Sequence, residues 1–228
     1  MRNSVAFDPP SLRETPPAPR KLPKQRRSRM LVESIKQACR QILEHEGAGH
    51  LSAMHLSQIS GVAVGSIYQY YPNLQAIVAD VYAEAALREI QHGPISHREQ
   101  FSEFSLRDAI TLQVEVVLRF YRRMLKLDRA FFQQFCLSFD LHDLFNEFKR
   151  DPEASTRNLM RMVDQTIHGR KIDDLQMKSF MAMQAMRATV LACVQQYPEY
   201  LEKAAFSEAL VDQCLGIFLP DERWRQEE

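Results

Sequence analysis

The chain has 228 residues, with 29 basic and 29 acidic side chains and a formal net charge of zero. This length allows one large domain or two modest ones, and the neutral balance excludes a protein that is a polycation over its whole surface. Only seven glycines, among many helix-forming residues, predict an all-helical chain and argue against a glycine-rich nucleotide-binding α/β fold.

The first predicted segment is a proline-rich arm over residues 1–27. Its six prolines prevent helix and strand, so we expect the arm to be mobile. Between Arg20 and Arg29 lie six basic residues and no acidic one, with Arg26 and Arg27 near the middle of the run. Such a cluster can bind nucleic acid, and an equally good interpretation is a solvated, disordered tail.

Residues 28–89 are predicted to form a small helical domain. Its first helix begins near Arg29, and its last is an amphipathic helix that starts at Leu74 and ends at Gly93-Pro94. Between them, residues 52–71 predict two short helices joined by a glycine turn. A helix-turn-helix of this kind can present its second helix to the major groove of DNA.

The second short helix contains no charged residue, although it would have to approach phosphates. Ser52 is a favourable N-cap for the helix before it, and Gly61 can adopt the backbone angles that the turn requires. In the second helix, Ile67 and Tyr71 fall on the inward face, and we expect them to pack in the core.

Residues 95–220 predict a second helical domain, followed by a tail over 221–228. Its aromatic and methionine content would suit an apolar or aromatic ligand in a mostly apolar cavity, although each such residue is at least as well explained as core. The candidate ligand-binding residues are Tyr121, Met124, Phe131, Phe135, Met160 and Met183. The helices over about 174–196 and 206–219 are expected to pack against a second copy of the chain.

The start of the chain resembles the DNA-binding domain of TetR-family transcriptional regulators. The resemblance is carried by Leu56 and Ile59, by residues 61–71 (Gly-Val-Ala-Val-Gly-Ser-Ile-Tyr-Gln-Tyr-Tyr), and by Pro72-Asn73 before an apolar helix. It implies an all-α fold with an N-terminal three-helix DNA-binding domain and a C-terminal domain for effector binding and dimerisation. It also implies a homodimer that binds a palindromic operator, most often as a repressor, and is released by a small molecule.

Position by position, the resemblance implies a set of DNA-contacting residues. Gln69 is placed to pair with adenine and Val64 to contact a thymine methyl, while the hydroxyls of Tyr68 and Tyr70 are placed to reach phosphates. The full set comprises Ser52, Val64, Gly65, Ser66, Tyr68, Gln69 and Tyr70, with Arg26, Arg27 and Arg29 of the arm.

Two departures from the family pattern bear on DNA binding. Ala63 stands where a capping serine is usual, and Leu74 stands where a phosphate-binding lysine is usual. Because cationic side chains supply much of the affinity for DNA, the missing lysine needs a substitute. We therefore hypothesise that Arg20–Arg29 lies along the DNA backbone or in an adjacent minor groove.

Enzymatic chemistry is not indicated by the sequence. There is no phosphate loop or nucleophile elbow, and a single Glu89-x-x-His92 falls short of a di-iron set, so we expect neither metal nor cofactor. Four dispersed cysteines, Cys39, Cys136, Cys193 and Cys214, indicate a reducing compartment without disulfides or zinc. With no hydrophobic signal or membrane span, we expect a cytoplasmic protein, associated with the bacterial nucleoid when bound to DNA. The alternative is a helical ligand- or protein-binding module that does not contact DNA.

Overall fold

A computed structural model describes residues 14–92, 103–168 and 171–219, with the side chain of His92 left out. Within these ranges the chain forms ten α-helices and three short 3-10 segments, with no β-strand. The helices are α1 (Arg26–His45), α2 (Ala53–Ser60), α3 (Val64–Tyr70), α4 (Leu74–His92), α5 (Leu106–Leu127), α6 (Arg129–Phe135), α7 (Leu141–Lys149), α8 (Ala154–Thr166), α9 (Leu175–Gln196) and α10 (Ala204–Phe218). The 3-10 segments are Ala48–His50, Cys136–Phe139 and Pro198–Glu202. The all-helical prediction is confirmed.

Helices α1 to α3 form the compact head of the molecule. The Ser52 hydroxyl caps α2 by accepting a hydrogen bond from the His55 N–H at 3.2 Å. Gly61 follows α2 with a φ of 68°, a left-handed conformation that a glycine adopts without strain. Leu56 and Ile67 are fully buried between the helices. The predicted turn and the inward face of the second short helix are therefore confirmed.

Helix α4 joins the head to the rest of the molecule through a shared core. Tyr82, at its centre, is fully buried; its hydroxyl accepts a hydrogen bond from the Asp128 N–H at 2.9 Å and lies 2.8 Å from the Met124 carbonyl oxygen. The rings of Phe131 and Phe139 lie 5.0 and 5.3 Å from that of Tyr82. This aromatic cluster fixes α4 against α5 and α6.

The second half of the chain packs around α5. Helix α10 lies against both α5 and α9, and α8 lies against α5 and α9. Helix α9 carries apolar residues on its outer side as well as on its inner side. On the outer side, Met177, Phe180 and Met181 are all about half exposed. Over the described ranges, no helix is both long and apolar enough to span a bilayer.

The arm differs from the sequence prediction in where it ends. Helix α1 begins at Arg26 rather than near Arg29, and the Ser28 hydroxyl accepts a hydrogen bond from the Gln25 N–H at 3.2 Å at its start. Residues 14–25 contain neither helix nor strand, as the prolines require, and they contact the body of the protein at Glu14 and Arg20. Residues 1–13, the 93–102 connection, Gly169 at the predicted end of α8 and the tail from residue 220 lie outside the described residues.

Candidate nucleic-acid interface and ligand cavity

Helix α3 has one face exposed to solvent and an opposite face that packs on the core. Gly65, Tyr68 and Gln69 are exposed, whereas Val64 and Ser66 are half-buried. The predicted base-contacting set therefore lies on the accessible side of the helix, or at its margin. As expected, the helix start has no side-chain cap, since Ala63 precedes it.

The inward face of α3 is fixed to α4 by one buried tyrosine. Tyr71 is 1% exposed, and its hydroxyl donates a hydrogen bond to the Asp80 carboxylate at 2.6 Å. Burial, together with this carboxylate, raises the pKa of Tyr71 well above its ordinary value. The tyrosine therefore stays neutral and holds the orientation of α3 relative to the rest of the head.

The arm places positive charge at the end of this uncharged helix. The Arg20 N–H donates a hydrogen bond to the Tyr70 carbonyl oxygen at 2.7 Å, and the Lys21 ammonium lies 4.5 Å from the centre of the Tyr70 ring. Tyr70, predicted from the resemblance to contact phosphate, is thus also the residue on which the arm rests. Leu74, at the position of the missing lysine, is half-buried against the core.

Three further arginines lie at the start of α1. Arg26, Arg27 and Arg29 are exposed, and the first turn of the helix contains no acidic residue. Among the described residues, no carboxylate lies within ion-pairing distance of Arg26 or Arg27. Cations at a helix N-terminus are unfavourable because they meet the positive end of the helix dipole, typically by about 0.3–1 kcal/mol each. With no carboxylate of the described residues beside Arg26 or Arg27, and with all three arginines at the positive end of the helix dipole, their charges do not stabilise α1.

The other end of the arm contacts the second domain. The Glu14 carboxylate accepts a hydrogen bond from the Gln134 side chain at 2.9 Å, and its carbonyl oxygen accepts one from the Ser138 hydroxyl at 3.1 Å. Residues 14–25 therefore connect α6 and the 3-10 segment that follows it with the end of α3.

A small cavity of about 40 Å³, which opens to solvent, lies between α5, α7, α8 and α9. Two of the six predicted ligand residues, Tyr121 and Met183, are among those that line it. Of the other four, Met124, Phe131 and Phe135 are buried in the core, and Met160 lies half-buried on α8 away from the cavity. The lining residues are Gln113, Val117, Tyr121, Asp140, Leu141, His142, Phe145, Ser155, Asn158, Met183, Met186 and Arg187.

One wall of the cavity holds an ion-pair network that the sequence alone does not indicate. The Arg187 guanidinium donates to the fully buried Asp140 carboxylate at 2.7 Å and to the Asp143 carboxylate at 3.0 Å. Asp140 also caps α7 by accepting from the His142 N–H at 2.8 Å. An Asp before an apolar run is an N-cap signal in the sequence, but nothing local to it points to Arg187.

His142 is held next to this wall by α8. Its Nδ1 lies 2.7 Å from the Ser155 hydroxyl, which in turn donates to the Asn146 side-chain oxygen at 2.9 Å. A neutral imidazole with its proton on Nδ1 fits both contacts, because Nδ1–H can donate to Ser155 and Nε2 can accept from the Asn146 amide at 3.3 Å. Burial, and then the nearby Arg187, lower the pKa of His142 and favour this neutral form.

His142 also borders a wider groove on the outer surface. Residues of the α7–α8 connection, Thr156 of α8, and Met177 and Phe180 of α9 line this groove. This imidazole therefore stands between the inner cavity and the outer groove.

Within the described ranges, no group of three or more His, Cys, Asp or Glu side chains is placed to hold a metal ion. All four cysteines are buried and free. Burial raises the pKa of Cys39 to about 12 and that of Cys214 to about 11, so neither thiol is a nucleophile near neutral pH.

Comparison with known proteins gave few matches. No protein-family model matches the chain, and no curated protein matches it. Among solved structures, a TetR transcriptional regulator from Rhodococcus sp. RHA1 matches 85% of this chain and 98% of its own, with 14% sequence identity and a TM-score of 0.45. A likeness this distant adds nothing to what the residues themselves indicate.

Proposed function

We propose that this protein is a DNA-binding transcriptional regulator, most simply a repressor, that binds its operator as a homodimer and is released by a small molecule. The observation that carries the proposal is the pairing of an uncharged, outward-facing α3 with a cationic arm that packs beside it. A helix with exposed Gly65, Tyr68 and Gln69 can enter a major groove closely, while Arg20, Lys21 and the start of α1 supply charge for the backbone.

In this proposal the contacts on DNA divide by type. Gln69 pairs with adenine and Val64 meets a thymine methyl, so α3 supplies base recognition. Arg26, Arg27 and Arg29 neutralise phosphates, which gives affinity without sequence preference. Tyr70 links the two groups because its carbonyl oxygen and its ring both contact the arm.

Dimerisation through α9 and α10 is supported by what their outer faces carry. The two helices pack side by side, and large apolar side chains on α9 remain about half exposed. An exposed apolar patch of this kind is typical of an interface between subunits. The outward-facing residues include Met177, Phe180, Met181, Ala188 and Ala192 of α9, and Ala205 and Ala209 of α10. We expect sedimentation to give a dimer, and Phe180→Glu with Met181→Glu to give a monomer that binds DNA weakly.

Control by a small molecule is supported by the position of the cavity. Helix α9 lines the cavity with Met183, Met186 and Arg187, and it also carries Met177 and Phe180 on the proposed dimer face. A ligand that moves α9 would therefore change how the two heads are spaced. Coupling of this kind requires two sites, here the cavity and the DNA-binding head, and two global states. The two states would be a DNA-bound dimer and a ligand-bound dimer released from DNA.

The proposal is tested by selecting binding sites for the full-length protein from a library of random-sequence duplex DNA. We expect enrichment of a palindrome, and specific binding to it that resists excess competitor DNA in a gel shift. Failure to enrich any sequence, with no competitor-resistant binding to DNA from beside its own gene, would contradict the proposal. The protein would then be a helical binding module that does not contact DNA.

A further inference from the structure

The arm over residues 14–25 has a buried side and an exposed side. Its cations at positions 20, 21 and 24 are exposed, whereas its prolines are half-buried, at Pro16, Pro17, Pro19 and Pro23. The prolines therefore lie toward the body of the protein, and the positive charges face outward. Because proline fixes its own φ, a segment this rich in proline is a semi-rigid spacer that loses less backbone entropy when it docks.

Each end of this arm is bonded to a different part of the molecule. At one end, Glu14 accepts hydrogen bonds from the Gln134 side chain, through its carboxylate at 2.9 Å, and from the Ser138 hydroxyl, through its carbonyl oxygen at 3.1 Å. At the other end, the Arg20 N–H donates to the Tyr70 carbonyl oxygen at 2.7 Å. The first contact is with the second domain, and the second is with the last residue of α3.

The part of the second domain that holds Glu14 is itself bonded to α9. The Gln133 side chain donates to the Val194 carbonyl oxygen at 2.9 Å. Asp140, which directly follows the 3-10 segment that contains Ser138, accepts a hydrogen bond from Arg187 at 2.7 Å. The arm is therefore a second connection between the second domain and the head, in addition to the core that α4 shares with α5 and α6.

We propose that Gln134 and Ser138 are positioning residues for DNA binding, because by holding Glu14 they keep the arm docked with its cations beside α3. The inference rests on the proposed function in treating these cations as contacts to DNA. A free arm would have to be ordered when it meets the phosphates, whereas a docked arm has already lost that freedom. A movement of α9 that displaces Gln134 and Ser138 would free the arm and weaken DNA binding without any change in α3.

The first test measures arm docking in the absence of DNA. In the full-length protein, Gln134→Ala with Ser138→Ala removes both hydrogen bonds to Glu14 and leaves every proposed DNA-contacting residue in place. The amide of Arg20, which is hydrogen-bonded to Tyr70 at the far end of the arm, should exchange with solvent deuterium at least about threefold faster in this variant. An unchanged exchange rate, measured by NMR, would overturn the inference.

The second test measures operator affinity by gel shift. Gln134→Ala with Ser138→Ala should weaken binding to the selected operator by about three- to tenfold, as the loss of one hydrogen bond of ordinary strength does. Unchanged affinity in this variant would overturn the inference. So would higher affinity, because it would show that the docked arm keeps its cations away from DNA.

A matched control separates this positioning role from a structural one. Thr111 and Gln165 also lie in the second domain, and the described residues give their side chains no hydrogen bond. Thr111→Ala with Gln165→Ala should change neither the exchange of the Arg20 amide nor operator affinity. A merely structural role for Gln134 and Ser138 would lower the urea midpoint of the second domain and leave Arg20 exchange as it is in the control, which would contradict the proposal.

Glu14→Ala approaches the same contact from the arm. Glu14 is exposed and lies outside every helix, so this variant keeps both domains intact even if changes in α6 do not. It should accelerate Arg20 exchange, but by less than the double variant, because the carbonyl oxygen of residue 14 still accepts from Ser138. Glu14→Ala and Gln134→Ala remove the same hydrogen bond, so combining them should add nothing to either alone, and additive effects would overturn the inference.

The two proposals can fail separately. If the protein selects no operator, the proposed function fails, and exchange of the Arg20 amide still decides whether the second domain holds the arm. If an operator is selected but the variant with Gln134→Ala and Ser138→Ala binds it as tightly as the control, only the positioning role fails.

Discussion

Two arginine environments in this molecule differ in their burial and in the carboxylates that the described residues place beside them. Arg26 and Arg27 at the start of α1 are exposed, and the described residues provide no carboxylate for them. Arg187 in the cavity wall is four-fifths buried and bound to two carboxylates. An unpaired cation on a surface can bind an external anion, whereas a paired one holds its own neighbours in place. In the proposed function, the arginines at the start of α1 attract DNA, whereas Arg187 in the cavity wall holds its own neighbours in place.

The difference between the two environments predicts opposite effects on stability. Removing Arg26 or Arg27 relieves an unfavourable interaction with the helix dipole of α1, so the head should be as stable as before or slightly more so. Removing Arg187 leaves the fully buried Asp140 without its cation, which costs far more than a surface ion pair contributes.

The largest expected effect is on DNA binding. Arg26→Gln with Arg27→Gln removes two cations from each subunit and four from the dimer. If each contacts a phosphate, operator affinity at 0.15 M salt should fall by about a hundredfold or more. Gel shifts over a range of protein concentrations measure this loss. Arg161→Gln with Lys171→Gln, two exposed cations of the second domain, is the matched control and should leave the affinity unchanged.

The next effect is on the stability of the second domain. Arg187→Met should lower the free energy of unfolding by about 3 kcal/mol, because a buried carboxylate is left unpaired. Arg107→Met, which removes an exposed ion pair with Asp212, should cost less than about 1 kcal/mol. Urea unfolding of the variants measures both. Equal losses for Arg187→Met and Arg107→Met would show that the wall of the cavity is not held by this ion pair.

A smaller effect on stability distinguishes Tyr71, the residue that follows α3, from Tyr68 within the helix. Tyr71→Phe loses a buried hydrogen bond to the Asp80 carboxylate and should cost about 1.5 kcal/mol of stability. Tyr68 is exposed, so Tyr68→Phe should leave stability unchanged and weaken DNA binding instead. Thermal unfolding and gel shifts on the same two proteins check this division, which fails if both variants lose stability equally.

The smallest expected effect is on the pH dependence of stability. Because the pKa of His142 is lowered in the folded protein, the unfolded chain binds the proton more readily. The contribution of neutral His142 to stability is therefore complete at a pH above its pKa in the unfolded chain, which is about 6.5. That contribution is lost as the pH falls from this value toward the lower pKa of the folded protein. Unfolding free energies between pH 7.5 and 5.5 should fall less steeply for His142→Gln than for the unaltered protein, and parallel curves would contradict this assignment.

The head could be predicted because its signals are local. The cap at Ser52 and the turn at Gly61 each act within three or four residues, and the inward position of Ile67 follows from helical spacing. The predicted start of α1 is three residues too late, because the prolines indicate where helix is impossible but do not indicate that Ser28 supports a start at Arg26.

The cavity could not be predicted in the same way. Arg187 meets Asp140 across 47 positions, and His142 meets Ser155 across 13, so no local pattern joins them. Phenylalanine and methionine content indicates apolar surface without distinguishing core from cavity. This is why Tyr121 and Met183 line the cavity, while Phe131 packs against Tyr82 and Phe135 packs against Phe131 in the core.

The central claim is that charge and base recognition lie on different segments, with charge on the arm and the start of α1 and base recognition on α3. The most direct test is the slope of log affinity against log salt concentration for the unaltered protein, Arg26→Gln/Arg27→Gln, and Gln69→Ala, each on the selected operator. We expect Gln69→Ala to lose affinity with an unchanged slope, and the arginine variant to bind with a slope shallower by about 0.9 for each phosphate that it no longer neutralises. An arginine variant that keeps the original slope would contradict the claim.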